Sequence, residues 1–451
     1  MTTTLPLPLL HSVRCTPDQV RDVLARHILV DGYHMVQDIE KSHGVFLHDA
    51  VRGRDVLDFF GHFSTSPLGF NHPKTTTPEF ARRILPAALN KPANSDIYTT
   101  FLAEFVETFS RIVPEPFRKR LFFIEGGALA VENTLKVAFD WKVRKNLAAG
   151  RGEIGSQILH FRQAFHGRSG YTLSLTNTAD PRKTQYFPKF PWPRIVNPML
   201  SFPSTPTRLE ATIALEGQAV AEIESAVAKH GHDIAALIIE PIQGEGGDNH
   251  FRVEFLKKLR ALADEHEFLL IFDEVQTGFG TTGKWWSFEH FGVEPDIFAF
   301  AKKTQICGIA AGPRVDEVDS VFKISSRINS TWGGNLVDMV RSQRIIEVIE
   351  EDGLLANAAA VGSHLLEGFT ELERLFPGKV TNSRGRGLFL AFDLPDTEMR
   401  NRTLKALNDS DVLGLASGHR AIRMRPPLVL QRAEADLGLR RIERALATIL
   451  G

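Results

Sequence analysis

Two short apolar runs in this chain of 451 residues each end in a residue that could take part in catalysis. Residues 269–272 are followed by Asp273, and residues 297–301 are followed by Lys302. Runs of this length and composition are typical of buried strands. Open α/β sheets bind their ligands at the carboxyl ends of the strands. The pattern therefore predicts an acid and an amine at the same sheet edge.

An acid and an amine in this position suit pyridoxal phosphate. The lysine amine would bond to the coenzyme's aldehyde, and the aspartate would keep its pyridine nitrogen protonated. Apolar neighbours would lower the pKa of the Lys302 amine and favour its nucleophilic form. Asp273 could instead serve a metal ion or phosphate transfer, although no G-x-x-x-x-G-K-[ST] motif accompanies it. Lys302 and Lys303 could also be a solvated pair, and a continued strand would direct one inward and one outward.

A glycine turn, Gly126-Gly127-Ala128, follows the apolar run 121–124 and opens a predicted helix that continues through residue 142. Free backbone N–H groups and the helix dipole at such a turn would bind a phosphate. An ordinary tight connection between a strand and a helix is the alternative.

Phe165 and Arg168 follow the apolar run 158–161. The phenylalanine could stack on a flat coenzyme ring, and the arginine could bind a substrate carboxylate through two hydrogen bonds. The alternative is that Phe165 belongs to the core and Arg168 to the surface.

Two acids, Glu240 and Glu245, lie in a glycine-rich stretch after the run 236–239. One could be structural and the other a gate that faces an arginine, or the stretch could only cap the next helix. Arg423, which comes before two prolines, could bind a carboxylate or lie on the surface. Hydroxyls and glycines between 327 and 335 could complete a phosphate site or cap the helix that follows.

The elements that must position these residues alternate between strand and helix from about residue 76. Apolar runs predict strands at 121–124, 158–161, 236–239, 269–272 and 297–300, with helices between them. This alternation predicts an α/β fold with a mostly parallel sheet that has helices on both faces. We expect an N-terminal arm over 1–75, a large domain over 76–335 and a smaller α+β domain over 336–451, which begins with a long helix at 336–351.

Composition excludes several classes of protein. The formal net charge is -1 and 43% of residues are apolar, which gives no electrostatic case for binding nucleic acid or an anionic membrane. No apolar run approaches the ~18 residues of a membrane span, and no signal peptide is predicted at the N-terminus. The histidines and the two cysteines lack metal-ligand spacing, so no metal site is predicted. Two cysteines without a disulfide framework suit the cytoplasm.

The order of the motifs resembles that of the class III, fold-type I pyridoxal-phosphate aminotransferases. The shared segments run from about residue 57 to 427 and include FFIEGGALAVENTLKVAFDWK, FHGRSGYTLSLTNT, EPIQGEGGDNHFR, KKTQICG and RINSTWGGNL. The resemblance implies a large domain with a mostly parallel seven-stranded sheet, and a smaller α+β domain formed by the C-terminal part with the N-terminal arm. It also implies pyridoxal phosphate as the cofactor and a homodimer with shared active sites.

The resemblance also implies a role for each matched position. Residues implied to bind the cofactor are Lys302 at the aldehyde, Asp273 at the pyridine nitrogen, Gln276 at the ring hydroxyl, Phe165 on the ring, Gly127 and Ala128 at the phosphate, and Thr331 at the partner's phosphate. Residues implied to bind substrates are Arg168 at the α-carboxylate, Arg423 at the keto acid, Glu245 as its gate, and Asn329 in the same pocket. Many members read serine-glycine-threonine at the phosphate turn, whereas this chain reads Gly126-Gly127-Ala128. Because the hydroxyl is missing, binding of the phosphate would here depend more on backbone amides.

The implied reaction moves the terminal amino group of L-lysine to 2-oxoglutarate. Its products would be 2-aminoadipate 6-semialdehyde, which cyclises to a piperideine, and L-glutamate. Three alternatives stay open. The first is another ω-aminotransferase, acting on ornithine, 4-aminobutyrate or a diamine, and the second is a pyridoxal-phosphate isomerase or aminomutase on the same fold. The third is a non-catalytic relative that serves as a binding or scaffold protein, although the intact Asp273 and Lys302 argue against it.

Overall fold

Seven strands form the sheet that carries the catalytic candidates in the computed structural model, which describes residues 15–450. The strands of the whole chain are, in order, β1 (Gln37–His43), β2 (Phe46–Asp49), β3 (Arg54–Asp58), β4 (Leu121–Ile124), β5 (Gln157–Phe161), β6 (Arg194–Ile195), β7 (Ile234–Ile239), β8 (Ile242–Gln243), β9 (Asn249–His250), β10 (Leu269–Asp273), β11 (Ile297–Phe300), β12 (Cys307–Ala311), β13 (Thr381–Arg386), β14 (Phe389–Asp393), β15 (Val412–Leu413), β16 (Leu415–Ser417) and β17 (Ala421–Met424).

Helices connect these strands and cover both faces of the large sheet. They are α1 (Val20–Ala25), α2 (Gly61–Ser64), α3 (Pro78–Leu89), α4 (Thr100–Ile112), α5 (Gly127–Ala148), α6 (Gly170–Leu175), α7 (Pro206–His230), α8 (Val253–Glu265), α9 (Leu336–Glu351), α10 (Leu354–Leu375), α11 (Thr397–Asp409) and α12 (Arg432–Leu450). None of the helices within residues 15–450 combines the length and the apolar character needed to cross a membrane.

The large sheet has the order β4-β12-β11-β10-β7-β5-β6. β10 is parallel to both β7 and β11, and β5 is parallel to β7 and β6. Only β12 runs antiparallel to its two neighbours. Every residue of β7, β10 and β11 is buried, as expected for central strands with helices on both faces. The prediction of a mostly parallel seven-stranded sheet is therefore confirmed.

The rest of the chain forms two smaller four-stranded sheets. One has the order β13-β14-β17-β16 and is antiparallel, and β17 carries Arg423. The other has the order β1-β2-β3-β15, and in it β3 pairs in parallel with β15, from the opposite end of the chain. We keep the division of the chain at residues 75 and 335 as a proposal.

Three sequence predictions near the N-terminus need correction. Helical spacing over 17–29 predicts one helix, but α1 covers only Val20–Ala25. Leu24, Ile28 and Leu29 are all exposed in the chain, so no apolar core supports a longer helix. The sequence also predicts strands at 44–48 and 56–60, and the observed strands β2 and β3 are displaced from these by one or two residues.

Candidate active site

A cavity of about 500 Å³ opens at the carboxyl ends of the central strands of the large sheet. Residues that line it are Thr65, Gly127, Ala128, Val131, Phe165, His166, Gly167, Arg168, Glu240, Asp273, Val275, Gln276, Ala301, Lys302, Gln305 and Cys307. The structure thus brings together Lys302, Asp273 and the glycine turn, which lie far apart in the sequence.

Lys302 leaves the strand instead of continuing it. β11 ends at Phe300, and Lys302 has a φ of +59°, in the left-handed region. That conformation costs a residue with a side chain roughly 1–2 kcal/mol, and strain of this kind is common at active sites. Burial, followed by the positive charge of Arg423, lowers the pKa of the Lys302 amine to about 8. About a tenth of the amine is therefore neutral and nucleophilic at pH 7, compared with less than a thousandth for an ordinary lysine.

Lys303 is buried and Lys302 is half-buried, so the inward and outward alternation expected of a continued strand is not present here. The Nζ of Lys303 donates to the backbone carbonyl of Ser64 at 3.1 Å and contacts the Ser64 hydroxyl. Because the chain turns at Lys302, the alternation of a strand no longer applies. Burial lowers the pKa of the Lys303 amine well below its usual value.

Asp273 is the last residue of β10 and is 4% exposed. Its Oδ1 accepts a hydrogen bond from the backbone N–H of Val275 at 3.0 Å. Its Oδ2 lies 2.7 Å from Nδ1 of His166. The backbone N–H of His166 in turn donates to Thr176 Oγ1 at 3.0 Å. These contacts fix one carboxylate at the floor of the cavity.

Glu240 follows β7 and lies under the same cavity. Its two oxygens accept hydrogen bonds from the backbone N–H groups of Phe165, at 2.9 Å, and Gly244, at 3.0 Å. Burial raises the pKa of the Glu240 carboxyl to about 7, although the nearby His166 acts in the opposite direction. Of the two acids in this stretch, Glu240 thus joins the Phe165 turn to the loop that carries Glu245.

Helix α5 starts at the cavity wall. The amides in the first turn of any helix lack an intrahelical partner. Gly126, the residue before α5, has a φ of +99° and no side chain that could cap these amides. A Cβ on Gly127 would lie 3.2 Å from the Cβ of Ala301, so glycine lets the helix start approach the end of β11. Free amides at the positive end of a helix of this length fit a phosphate group.

Phe165 and Arg168 lie on the turn that follows β5. Both line the cavity. Phe165 is half-buried and Arg168 is exposed, with its guanidinium carbon 5.8 Å from the centre of the Phe165 ring. Gly167 between them has a φ of +119°, and a Cβ there would lie 2.6 Å from the Cβ of Ala128. The turn therefore packs directly on the start of α5.

Glu245 and Arg423 form an ion pair, although they lie on different parts of the fold. Arg423 is 3% exposed, and its NH1 donates to Gln276 Oε1 at 3.4 Å. Glu245 also pairs with Lys183, a residue on which the sequence reasoning placed no role. Gly244 makes room for this arrangement, since a Cβ there would lie 2.5 Å from Gln276 Oε1.

Asn329 and Thr331 do not line the cavity of the single chain. Both are exposed, in the segment that leads into α9. Ser95 Oγ holds this segment by donating to the carbonyl of Ser330 at 2.9 Å. Their predicted roles at the pocket and at the partner's phosphate stay predictions.

Sequence reasoning missed two residues of this site, His166 and Lys183. His166 could have been found, because it lies between Phe165 and Arg168 just after a predicted strand end. Lys183 gave no local signal, since it belongs to a proline-rich connection that is remote in sequence from Glu245.

The amine, the buried carboxylate and the uncapped helix start fit the three ends of pyridoxal phosphate, namely its aldehyde, its ring nitrogen and its phosphate. The family model described as Aminotransferase class-III matches residues 29–446 of the chain. The chain belongs to this family and is a pyridoxal-phosphate-dependent aminotransferase.

The chain is similar to several characterised relatives. L-lysine-epsilon aminotransferase of Mycobacterium tuberculosis is 51% identical over 441 residues, which covers 96% of each protein. The enzyme of the same name from Streptomyces clavuligerus is 46% identical over 433 residues, covering 95% of this chain and 94% of that protein. Mouse mitochondrial 4-aminobutyrate aminotransferase is 32% identical over 437 residues, covering 91% and 84%.

A solved structure agrees with this result. Lysine aminotransferase from M. tuberculosis in the internal aldimine form superimposes with a TM-score of 0.93 at 50% identity. The match covers 96% of this chain and 100% of that one. The predicted fold-type I architecture is confirmed by this match and by the family.

Proposed function

We propose that the enzyme transfers the terminal amino group of L-lysine to 2-oxoglutarate. The observation that carries this proposal is the Glu245–Arg423 ion pair next to Lys302. The pair can neutralise Arg423 for a substrate whose reacting end is an amine, and can open for a substrate with a second carboxylate. The relatives that are named lysine aminotransferases and match nearly the full chain support lysine as the amine.

Two half-reactions make up this transfer. In the first, lysine gives up its terminal amino group and leaves as 2-aminoadipate 6-semialdehyde, which cyclises. In the second, 2-oxoglutarate takes up that amino group and leaves as L-glutamate. When bound, pyridoxal phosphate supplies an aldehyde that accepts the amine and a ring that takes up the electron pair released at the substrate carbon.

Lys302 moves the proton in this scheme. Its buried amine, with a pKa of about 8, is basic enough to take a proton from Cε of lysine and is mostly desolvated. Lys302 would then deliver that proton on the coenzyme side of the cavity, where its amine lies. Asp273, held by His166 and by the Val275 amide, presents its carboxyl group at the floor of the cavity. A carboxylate in that place would hold a proton on the ring nitrogen of the bound coenzyme.

Substrate carboxylates are bound by two arginines. Arg168 lies at the exposed side of the cavity and is placed to bind the α-carboxylate of lysine. Arg423 lies deeper, paired with Glu245, and binds the second carboxylate of 2-oxoglutarate once Glu245 moves. Asn329 completes the pocket in this proposal.

Product analysis tests the proposed substrate. The holoenzyme is incubated with 2-oxoglutarate and, in separate reactions, with L-lysine, ornithine, 4-aminobutyrate or a diamine, and glutamate is measured. We expect the highest kcat/KM with lysine, and piperideine as its product. A higher value with another amine would identify a different ω-aminotransferase. Product formed without any keto acid would identify an isomerase or aminomutase.

Chemical labelling tests the proposed nucleophile. Borohydride reduction of the holoenzyme attaches the coenzyme permanently to the lysine that carries it, and peptide mapping locates the label. We expect the label on Lys302. Lys303 is an internal control, because it is the neighbouring lysine but its amine is hydrogen-bonded to Ser64. A label on Lys303, or no label, would contradict the assignment.

A homodimer with shared sites is part of the proposal. The exposed Thr331 and the exposed apolar residues Ile97, Tyr98 and Trp332 support a face that a second copy covers. Mixed dimers of Lys302→Ala and Thr331→Ala chains test sharing. If Thr331 serves the partner's phosphate, one of the two sites in each mixed dimer regains both residues, and its affinity for the coenzyme becomes normal. If Thr331 serves its own chain, no site recovers.

We also propose a cytoplasmic location. The two cysteines, Cys15 and Cys307, are both free, which suits a reducing compartment. Fractionation of the cells that produce the protein tests this proposal.

A further inference from the structure

The Glu245 carboxylate has two cationic partners, and each takes a different oxygen. Oε2 pairs with the Arg423 guanidinium, and Oε1 accepts a hydrogen bond from Nζ of Lys183. The three side chains are largely removed from solvent, at 19% exposed for Lys183, 19% for Glu245 and 3% for Arg423. One negative charge therefore serves two positive charges beside the cavity, where Arg423 contacts Gln276 and Lys183 lies near Phe165.

Lys183 reaches Glu245 from a short turn that is anchored independently of the active site. The turn comprises Pro181–Lys183, and the Asp180 carboxylate caps it by accepting from the backbone N–H of Arg182 at 3.1 Å. Lys183 Nζ also lies 5.9 Å from the centre of the Phe165 ring. The turn thus places a fixed ammonium group beside the ring that lines the cavity.

Arg423 and Lys183 together lower the pKa of the Glu245 carboxyl. Burial raises the pKa of its carboxyl, but the charges of Arg423 and Lys183 outweigh burial, and the net shift is downward. Glu245 therefore stays ionised through the pH range in which Lys302 is active. An ionised, largely buried carboxylate that loses its only partner is strongly destabilised. A second partner removes that penalty.

A gate made of Glu245 and Arg423 alone would be hard to open for this reason. When a dicarboxylate takes Arg423, Glu245 must give up that partner without becoming an isolated buried charge. Lys183 already holds the other oxygen, so Glu245 can rotate away from Arg423 and keep one ion pair.

We propose that Lys183 is a specificity-determining residue that holds Glu245 in the open state of the gate, and so favours the half-reaction with the dicarboxylate keto acid. This inference rests on the proposed function, because it assigns Lys183 to the 2-oxoglutarate step. Lys183 makes no contribution to proton transfer in this scheme.

Lys183→Met tests the inference in the holoenzyme, and the two half-reactions are measured separately in single turnovers. We expect kcat/KM for 2-oxoglutarate to fall about tenfold, since Glu245 then remains on Arg423. The value for lysine should change far less, so the ratio of the two is the diagnostic quantity. Binding of glutarate, a dicarboxylate that cannot react, should weaken by a similar factor in calorimetry.

Two further variants serve as controls. Arg182 belongs to the same turn, but its side chain is 82% exposed and pairs with Asp180. Arg182→Met should therefore leave the ratio of the two kcat/KM values and the affinity for glutarate near those of the unmodified enzyme. Lys183→Arg keeps the charge at Glu245 and should restore most of both values.

Three results would overturn the proposal. They are an unchanged ratio in Lys183→Met, an equal loss in both half-reactions, and a loss confined to lysine, which would mean that Lys183 binds the substrate carboxylate directly. Failure of the proposed function is distinguishable, because the unmodified enzyme would then not form glutamate from lysine at all.

Discussion

His166 Nδ1 lies 2.7 Å from Asp273 Oδ2, and this contact joins the turn after β5 to the end of β10. The carboxylate of Asp273 is buried, so its orientation depends on the groups that donate to it. His166 itself is held through the Thr176 hydroxyl. The position of the acid at the floor of the cavity is therefore set by His166, by the Val275 amide and, through His166, by Thr176.

Replacing His166 should weaken coenzyme binding. His166→Phe removes the donor to Asp273, and a hydrogen bond to a charged group contributes about 1.5–3 kcal/mol. We expect the dissociation constant of pyridoxal phosphate, measured by equilibrium dialysis, to rise about tenfold or more. His166→Asn keeps an N–H donor near the Nδ1 position and should lose much less. Equal losses in the two variants would show that ring packing matters more than the hydrogen bond.

Coenzyme uptake should depend on pH through the amine of Lys302. Only the neutral amine can attack an aldehyde, and its pKa is lowered to about 8. The rate at which the apoenzyme binds added pyridoxal phosphate should therefore increase as pH rises from 6 to 9, with a midpoint near 8, and then level off.

Arg423→Met provides the matched control for this profile. The charge of Arg423 helps to lower the pKa of Lys302, whereas Asp273 and Glu245 act in the opposite direction. Removing the arginine should therefore move the midpoint to higher pH. A profile that stays in place would show that burial alone sets the pKa.

Glu245→Gln should impair the half-reaction with lysine but not the half-reaction with 2-oxoglutarate. The amide no longer neutralises Arg423 or Lys183, so a positive charge faces the terminal amine of lysine. We expect KM for lysine to rise about tenfold, equivalent to about 1.4 kcal/mol. The half-reaction with 2-oxoglutarate should keep its rate, because Arg423 is then permanently available. Single-turnover kinetics with each substrate measure both effects.

Asp248→Ala should destabilise the loop that carries Glu245. Asp248 and Arg425 form a buried ion pair, with Arg425 NH2 2.7 Å from Asp248 Oδ2. Leaving Arg425 buried without its partner is expected to cost about 3–5 kcal/mol. Denaturant unfolding of the holoenzyme should show a lower midpoint. The double variant with Arg425→Met should recover part of the loss, and a single variant as stable as the unmodified enzyme would contradict the argument.

Local sequence patterns were sufficient for the parts of the fold that depend on local physics. The strands at Leu121–Ile124 and Ile297–Phe300 and the helix Leu336–Glu351 have the predicted bounds. In each case the spacing of the apolar residues sets which side chains are buried, and this spacing is characteristic of a strand or of a helix. The shared sheet edge of Asp273 and Lys302 follows from the parallel pairing of their strands.

Contacts between distant side chains could not be predicted in the same way. The burial of Lys303 depends on the left-handed turn at Lys302 and on a carbonyl at Ser64. The contact of Lys183 with Glu245 depends on how a loop folds over the cavity. Neither arrangement leaves a periodic trace in the sequence, because each joins elements that tertiary packing alone brings together.

The parallel pairing of β3 with β15 also constrains how the protein is made. β3 leaves the ribosome well before β15, the strand that completes one of its edges, because the two are far apart in the sequence. Until β15 has been synthesised, that edge has unpaired N–H and carbonyl groups, which can form hydrogen bonds with other chains. Contacts of such long sequence separation also form slowly. We therefore expect the nascent chain, more than the finished enzyme, to be the species at risk of aggregation.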